Sequence, residues 1–326
     1  MRLKSLFSLA TAAALCLAAA PSFAQAHDTL IVPYLAGGQA DTTARRMSPL
    51  LTKYLDNQVI VENIPGASGM IGMQRMLRAG EDGRTFVYGT SSELVLTPFT
   101  VSGITYTPED LRLIAYTTRA PFTLVGGNHL EQKDLKALVE ERRKPGAKPL
   151  TYGSIGIGSL LHAVGEAFSD QAKVPMLHVP YKGVANVFND LMGGQIDLAF
   201  VPTSGSLKNY IDSGRLHIYG IAAKERSPLF PDLPTMEQAI SLTGFHYDIW
   251  GGIVVPAKVS DADAQRLNTA FGKMLENPEY RAQQEALGAT VPAKQTLEEA
   301  QKFYENEIEI YRGLAKLLEE KPKNPS

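Results

Sequence analysis

Three glycine- and hydroxyl-rich segments of the chain each lead into an amphipathic helical pattern. Residues 33–41 read P-Y-L-A-G-G-Q-A-D, residues 63–72 read N-I-P-G-A-S-G-M-I-G, and residues 152–159 read Y-G-S-I-G-I-G-S. Glycine lets backbone amides approach a bound group closely, and a helix N-terminus adds partial positive charge. This composition is suited to holding an anion through N–H and O–H donors, without a lysine or arginine.

The same residues give little support to catalysis. Ser159 and His162 lie one helical turn apart, but the spacing of the sequence adds no carboxylate that would complete a triad. The sequence has no G-x-S-x-G, H-E-x-x-H or P-loop motif, and Leu161 stands where a dinucleotide fingerprint needs glycine. Its six histidines lack metal-ligand spacing. We therefore expect no enzyme, cofactor or metal, with a hydrolase-type enzyme using Ser159 and His162 as the alternative.

Alternating short apolar strands and amphipathic helices would position these segments. Strands are predicted at 29–33, 58–62, 85–89, 122–126, 150–154, 177–181, 196–202, 216–223 and 249–255. Helices are predicted at 41–55, 70–79, 160–171, 185–193, 205–213 and 297–318, with further C-terminal helices starting near Ser260 and Pro278. This order is typical of parallel sheets flanked by helices. Open α/β sheets bind ligands beyond the carboxyl ends of their strands, which is where the three segments lie.

Length and charge narrow the class of protein. The 326 residues suggest two domains, at about 150 residues per domain. With 32 Lys+Arg and 34 Asp+Glu, the net charge is −2. Such a balance excludes the broad basic surface that neutralises phosphates, so we expect no nucleic-acid binding.

The N-terminus predicts an exported protein. Arg2 and Lys4 precede an apolar run over residues 6–20, and small residues follow at 22 and 24. This pattern predicts a signal peptide over residues 1–24, cleaved after Ala24 or Ala26. The run is shorter than the about 20 residues that span a bilayer. We expect the mature protein in the periplasm.

Several motifs, in the same order along the chain, resemble those of the Bug family, the periplasmic solute-binding proteins of tripartite tricarboxylate transporters. Residues 33–45 resemble the opening P-F-x-P-G-G-x-x-D-x-x-A-R, with Leu-Ala before the first glycine in place of the usual proline. Residues 62–72 are similar to E-N-x-x-G-A-x-G-x-x-G, and residues 152–162 to Y-G-S-x-G-x-G-S-x-x-H. The block H-V-P-Y-K-G at 178–183 and G-G-Q-I-D at 193–197 extend the match.

The resemblance implies an α/β, two-lobed periplasmic binding protein of the type II Venus-flytrap class, with parallel-rich sheets flanked by helices. Lobe 1 would comprise residues 25–120 plus 246–326, and lobe 2 residues 121–245. A small organic carboxylate would bind in the interlobe cleft of a monomer, and the membrane permease subunits of a tripartite transporter would be its partner. A sensor kinase is the alternative partner, since both would recognise the same closed form.

We expect ligand contacts from both lobes. The candidates are Tyr34, Gly38, Asp41, Ser91 and Ser92 in lobe 1, and Ser154, Gly158, Ser159, His162, Tyr181 and Thr203 in lobe 2. Asp41 has two interpretations, an acid in the first turn of a helix or a direct ligand contact.

Glu93 departs from the family pattern, in which small polar residues are common at this position. If its carboxylate faced the cleft, like charge would disfavour a dicarboxylate beside it. The ligand would then carry one carboxylate plus an amine or a neutral polar end. The alternative is that Glu93 points to solvent.

Overall fold

The computed structural model describes residues 27–320, which contain nine strands and eleven α-helices. The strands are β1 (Asp28–Val32), β2 (Val59–Asn63), β3 (Thr85–Thr90), β4 (Leu111–Gly127), β5 (Leu150–Ser154), β6 (Met176–Pro180), β7 (Leu198–Pro202), β8 (Leu216–Ile221) and β9 (Asp248–Pro256). The predicted signal peptide and its cleavage site lie outside the described residues.

The helices connect and cover these strands. They are α1 (Gln39–Leu55), α2 (Met70–Leu77), α3 (Thr97–Thr100), α4 (Leu135–Arg142), α5 (Leu160–Gln171), α6 (Val184–Met192), α7 (Gly205–Asp212), α8 (Met236–Ile240), α9 (Asp261–Leu275), α10 (Pro278–Glu285) and α11 (Leu297–Glu320). A π-helical turn, Ser92–Leu96, separates β3 from α3. Among residues 27–320, no helix has both the length and the apolar character that crossing a membrane requires.

The strands form a mixed sheet with two parallel sections. The strand order in the sheet is β2-β1-β3-β9-β4-β7-β5-β6, and β8 lies off this path and pairs with β4. Strands β1, β2 and β3 are parallel, and so are β5, β6 and β7. Strands β4 and β9 form an antiparallel pair between the two sections. The first section joins this pair through β3, which pairs with β9, and the second section joins it through β7, which pairs with β4. The fold is therefore mixed α/β, with the parallel sections that the sequence predicted.

Strand β4 runs through both sections. Its residues 111–121 pair with β9, while residues 122–127 pair with β7 and β8. The sequence predicted a strand only at 122–126, so the first part of β4 was missed. Arg112, Arg119 and Pro121 interrupt the apolar pattern there. Pairing with β9, which lies far along the chain, stabilises this part as a strand.

Packed helices and sheet faces bury the apolar side chains. On one face of the first section, Met47 of α1 and Phe271 of α9 pack with Phe86 of β3. Helix α11 packs against β4 and α5, and its Tyr304 contributes to a core shared with Trp250 of β9. Trp250 is fully buried. The long helix therefore connects elements of both sections.

Candidate functional site

The carboxyl ends of both parallel sections meet the middle of β4. Thr90, at the end of β3, pairs with Gly251 of β9, which pairs with Thr118 of β4. Pro202, at the end of β7, pairs with Phe122, only four positions further along β4. The loops that follow β1, β2 and β3, here called the first loop group (residues 33–38, 64–69 and 91–92), therefore start close to the second loop group (155–159, 181–183 and 203–204).

A direct contact joins the two sides. The hydroxyl of Thr100, in α3, donates to the carbonyl oxygen of Gly158 at 3.0 Å. Gly158 has a φ of +79°, and a Cβ there would lie 3.3 Å from Thr100 Cβ. Both the left-handed backbone and the close approach favour glycine at this position. The second loop group thus packs against the segment that follows β3.

Three helix N-termini at these loops have no side-chain cap. Helices α1, α2 and α6 follow Gly38, Gly69 and Gly183, none of which can supply a capping side chain. By contrast, Ser159 and Ser204 cap α5 and α7. Backbone N–H groups in an uncapped first turn need another acceptor, and an anion can serve. Anion binding at these helix starts stays a prediction from the sequence.

Asp41 is oriented toward its own helix and loop. Its Oδ2 accepts from the Gly37 N–H at 2.8 Å, and its Oδ1 lies 2.9 Å from Arg45 Nε. The Gly37 hydrogen bond, followed by that from Arg45, lowers the pKa of Asp41. These contacts support the interpretation of Asp41 as a first-turn acid that shapes the first loop.

Glu93 is buried beneath the first loop group, with 3% of its surface exposed. Its carboxylate accepts from the Tyr34 hydroxyl, from the Thr90 N–H, and from the Thr90 hydroxyl at 2.9 Å. Burial raises the pKa of Glu93. The alternative that Glu93 points to solvent is wrong. The run Leu94-Val95-Leu96, entirely buried, was the sequence signal that this turn faces inward.

The side chains of the two serines before Glu93 lie in different environments. Ser91 is fully buried, and its Oγ accepts from the backbone N–H of Trp250 at 3.4 Å. Ser92 is half-buried, and its N–H donates to the Thr90 hydroxyl at 3.4 Å. Both serines belong to the first loop group, but the side chain of Ser91 is turned toward β9.

Two stacked histidines support the second loop group. The rings of His162 and His178 lie 3.9 Å apart, and His162 Nδ1 accepts from the Gly158 N–H at 3.1 Å. His178 Nε2 lies 2.6 Å from the Oγ of Ser154, which is fully buried. Burial, and then the neighbouring His162, lowers the pKa of His178 to about 4. His178 is therefore uncharged at neutral pH. Together with the buried Ser154, it supports the second loop group from the protein interior.

The geometry does not support the catalytic alternative built on Ser159 and His162. The Ser159 hydroxyl donates to the Gly156 carbonyl at 2.7 Å and accepts from the His162 backbone N–H at 3.3 Å. A nucleophilic serine needs its hydroxyl bonded to the base. The serine–histidine pair that does form, Ser154 with His178, was missed because 24 positions separate the two residues.

The last two predicted ligand residues also have protein partners. The Tyr181 hydroxyl donates to Asp190 Oδ2 at 2.7 Å. Burial and this bond raise the pKa of Tyr181 to about 12. Thr203 is buried, and its hydroxyl donates to the Pro121 carbonyl at 2.8 Å. Both residues belong to the second loop group, and Thr203 lies next to the point where β4 changes partners.

The part of the chain that the structure describes shows no group of three His, Cys, Asp or Glu side chains arranged to hold a metal ion. Hydrogen-bond donors and neutral hydroxyls dominate both loop groups. Such groups are suited to holding a small anion.

Known proteins are similar to this chain in sequence and in fold. The sequence profile of the tripartite tricarboxylate transporter family receptor, TctC, matches residues 43–316. A protein of Agrobacterium vitis, described as the UPF0065 protein in the TAR-I ttuE-ttuC' intergenic region, is 33% identical over 291 residues, covering 85% of this chain and 81% of that protein.

Solved structures extend the likeness to three dimensions. The structure of the periplasmic binding protein BugD has a TM-score of 0.73 at 28% identity, covering 90% of this chain and 97% of that one. The R. palustris protein Rpa4515, solved with adipate, has a TM-score of 0.76 at 25% identity, covering 91% and 98%. The fold is therefore the two-lobed α/β fold of periplasmic binding proteins.

Proposed function

Because the chain belongs to the tripartite tricarboxylate transporter receptor family, together with the Bug proteins, we propose that it is a periplasmic solute-binding protein for a small organic carboxylate. The observation that carries this proposal is the meeting of two loop groups, with uncapped helix N-termini, at the middle of β4. The family is a receptor family, which argues against the hydrolase-type alternative.

The proposed lobes are residues 25–120 plus 246–326 and residues 121–245. Two chain crossings support this division. Strand β4 changes partners between Pro121 and Phe122, and the Phe122 N–H donates to the Tyr247 carbonyl, one residue before β9. Adjacent crossings of this kind let two lobes rotate about a few residues.

Within the cleft, backbone amides at the starts of α1, α2 and α6 would hold the carboxylate. Charge-assisted hydrogen bonds of this type are stronger than neutral ones. The side chains and glycines proposed to face the ligand are Tyr34, Gly38, Ser92, Gly158, Ser159 and Tyr181. The remaining candidates, Asp41, Ser91, Ser154, His162 and Thr203, are proposed to position these loops.

Closure around the ligand would present one surface to the transporter. We propose export through a signal peptide over residues 1–24, followed by delivery of the ligand to the membrane permease subunits. BugD is described as a periplasmic binding protein, and Rpa4515 was solved with adipate, a dicarboxylate.

Calorimetry on the processed protein, purified from the periplasm, tests the proposal. The panel contains adipate, citrate, simple monocarboxylates and amino acids, and NMR of each acid afterwards reports chemical change. We expect micromolar or tighter binding of at least one acid, recovered unchanged. Failure of the whole panel to bind, or conversion of an acid to a product, would contradict the function.

Two glycines make a matched pair of variants. Gly158 and Gly146 have φ values of +79° and +82°, so alanine strains the backbone similarly at both, by about 1–2 kcal/mol. Only Gly158 lies in a loop group, and nothing lies within 4 Å of a Cβ at Gly146. We expect Gly158→Ala to weaken binding at least tenfold and Gly146→Ala to leave the dissociation constant unchanged. Equal affinities for the two variants would exclude the second loop group from the site.

A further inference from the structure

Among the residues that the structure describes, Glu93 is a buried carboxylate without a cationic partner. Two other buried acids have one, since Asp28 lies 3.2 Å from Arg266 and Asp41 lies 2.9 Å from Arg45. Within residues 27–320, no Lys, Arg or His forms a salt bridge with Glu93. A buried charge is normally paired, because removing it from water is costly.

The carboxylate lies immediately beneath the first loop group. A Cβ at Gly69, the residue that precedes α2, would stand 3.1 Å from Glu93 Cβ. The hydrogen-bond partners of Glu93, Tyr34 and Thr90, lie near the ends of β1 and β3. The negative charge is therefore adjacent to the same strand ends that the proposed ligand would touch.

Glu93 also determines what its neighbours can offer a ligand. The hydroxyls of Tyr34 and Thr90 both donate to Glu93 Oε2, the second at 2.9 Å, and the two oxygens lie 3.1 Å apart. A hydroxyl has one proton to donate, so both oxygens can only accept from a ligand. This edge of the site presents acceptors and negative charge, whereas the uncapped helix starts present donors.

A ligand that satisfies both edges needs opposite charges at its two ends. We propose that the ligand carries a cationic nitrogen beside its carboxylate. Its ammonium group is attracted by the negative charge of Glu93 and donates hydrogen bonds to the hydroxyl oxygens of Tyr34 and Thr90. The ligand class is an amino-carboxylate. This inference rests on the proposed function, because it assumes that a carboxylate binds between the loop groups.

Matched pairs of acids that differ only in the ammonium group test this class. The pairs are aspartate with succinate, glutamate with glutarate, and 4-aminobutyrate with butyrate. By calorimetry at pH 7.5, we expect the amino member of at least one pair to bind tenfold or more tightly than its partner. In Glu93→Gln, which keeps an acceptor oxygen and removes the charge, we expect that ratio to shrink at least tenfold.

Glu62→Gln is the control variant, because it removes one negative charge from a partly buried position at β2 without touching this network. We expect it to leave the ratio unchanged. Tighter binding of the acids without nitrogen to the unaltered protein would overturn the inference and leave the proposed function standing. An unchanged ratio in Glu93→Gln would also overturn it. If no acid of any pair binds but adipate or citrate does, the inference alone fails; if none of the acids binds, the proposed function fails with it.

Discussion

Glu307 should make the stability of the protein depend on pH. This residue of α11 is 5% exposed, and its carboxylate accepts from the indole N–H of Trp250 at 2.7 Å. Burial, with a further contribution from Asp248, raises the pKa of Glu307 to about 7, although the Trp250 hydrogen bond opposes the shift. The carboxyl is therefore protonated in the folded state at a pH where the unfolded chain has lost the proton.

The size of the effect follows from the two pKa values. An unfolded glutamate has a pKa of 4.5, against about 7 in the fold. Each pKa unit corresponds to about 1.4 kcal/mol, so the difference amounts to about 3 kcal/mol. Between these values the folded state binds more protons than the unfolded state. The contribution of Glu307 to the free energy of unfolding therefore falls as the pH rises from about 4.5 to 7.

Urea unfolding at several pH values between 4.5 and 8 measures this change against Glu307→Gln. Glutamine retains an oxygen that accepts from Trp250 but does not titrate. We expect the variant to gain about 3 kcal/mol relative to the unaltered protein across this range. Glu309→Gln, on an exposed position of the same helix, should show no such trend. A difference between Glu307→Gln and the unaltered protein that stays constant with pH would refute the reasoning.

Two further predictions concern packing and the crossing of β4. A Cβ on Gly165 of α5 would lie 2.7 Å from Cδ2 of the Tyr152 ring, so Gly165→Ala should lower the free energy of unfolding by about 1–3 kcal/mol. A Cβ at Gly313 of α11 would meet open space, so Gly313→Ala should raise the free energy of unfolding by about 0.5–1 kcal/mol. Urea titrations in which both variants change the free energy of unfolding with the same sign would contradict this packing. Thr203→Val removes the donor to the Pro121 carbonyl and should cost about 1–2 kcal/mol; an unchanged urea midpoint would count against that bond.

Local signals in the sequence were sufficient for many elements. The strand at 150–154 and the helix at 160–171 agree with the structure, because apolar periodicity and the Ser159 cap act over a few residues. At the start of the predicted helix 297–318, Thr296 and Glu299 form a capping box, which also acts over a few residues. Helix α4, by contrast, was missed, since its short segment carries little apolar periodicity.

Long-range contacts decided what the sequence left open at the site. The sequence left two alternatives for the orientation of Glu93. Its burial depends on Tyr34, which lies 59 positions away. The partnership of Ser154 with His178 depends on the pairing of β5 with β6.

The amino-acid sequence by itself determined the strand and helix segments, the glycine-rich loops and the family. The first two follow from spacing over a few residues, and the family from the order of motifs along the chain. Tertiary structure alone decided which polar side chains became internal supports and which stayed on the loops. The reason is physical: the environment of a hydroxyl or carboxylate is set by groups that only the packed strands bring together, and burial changes both its charge and its available hydrogen bonds.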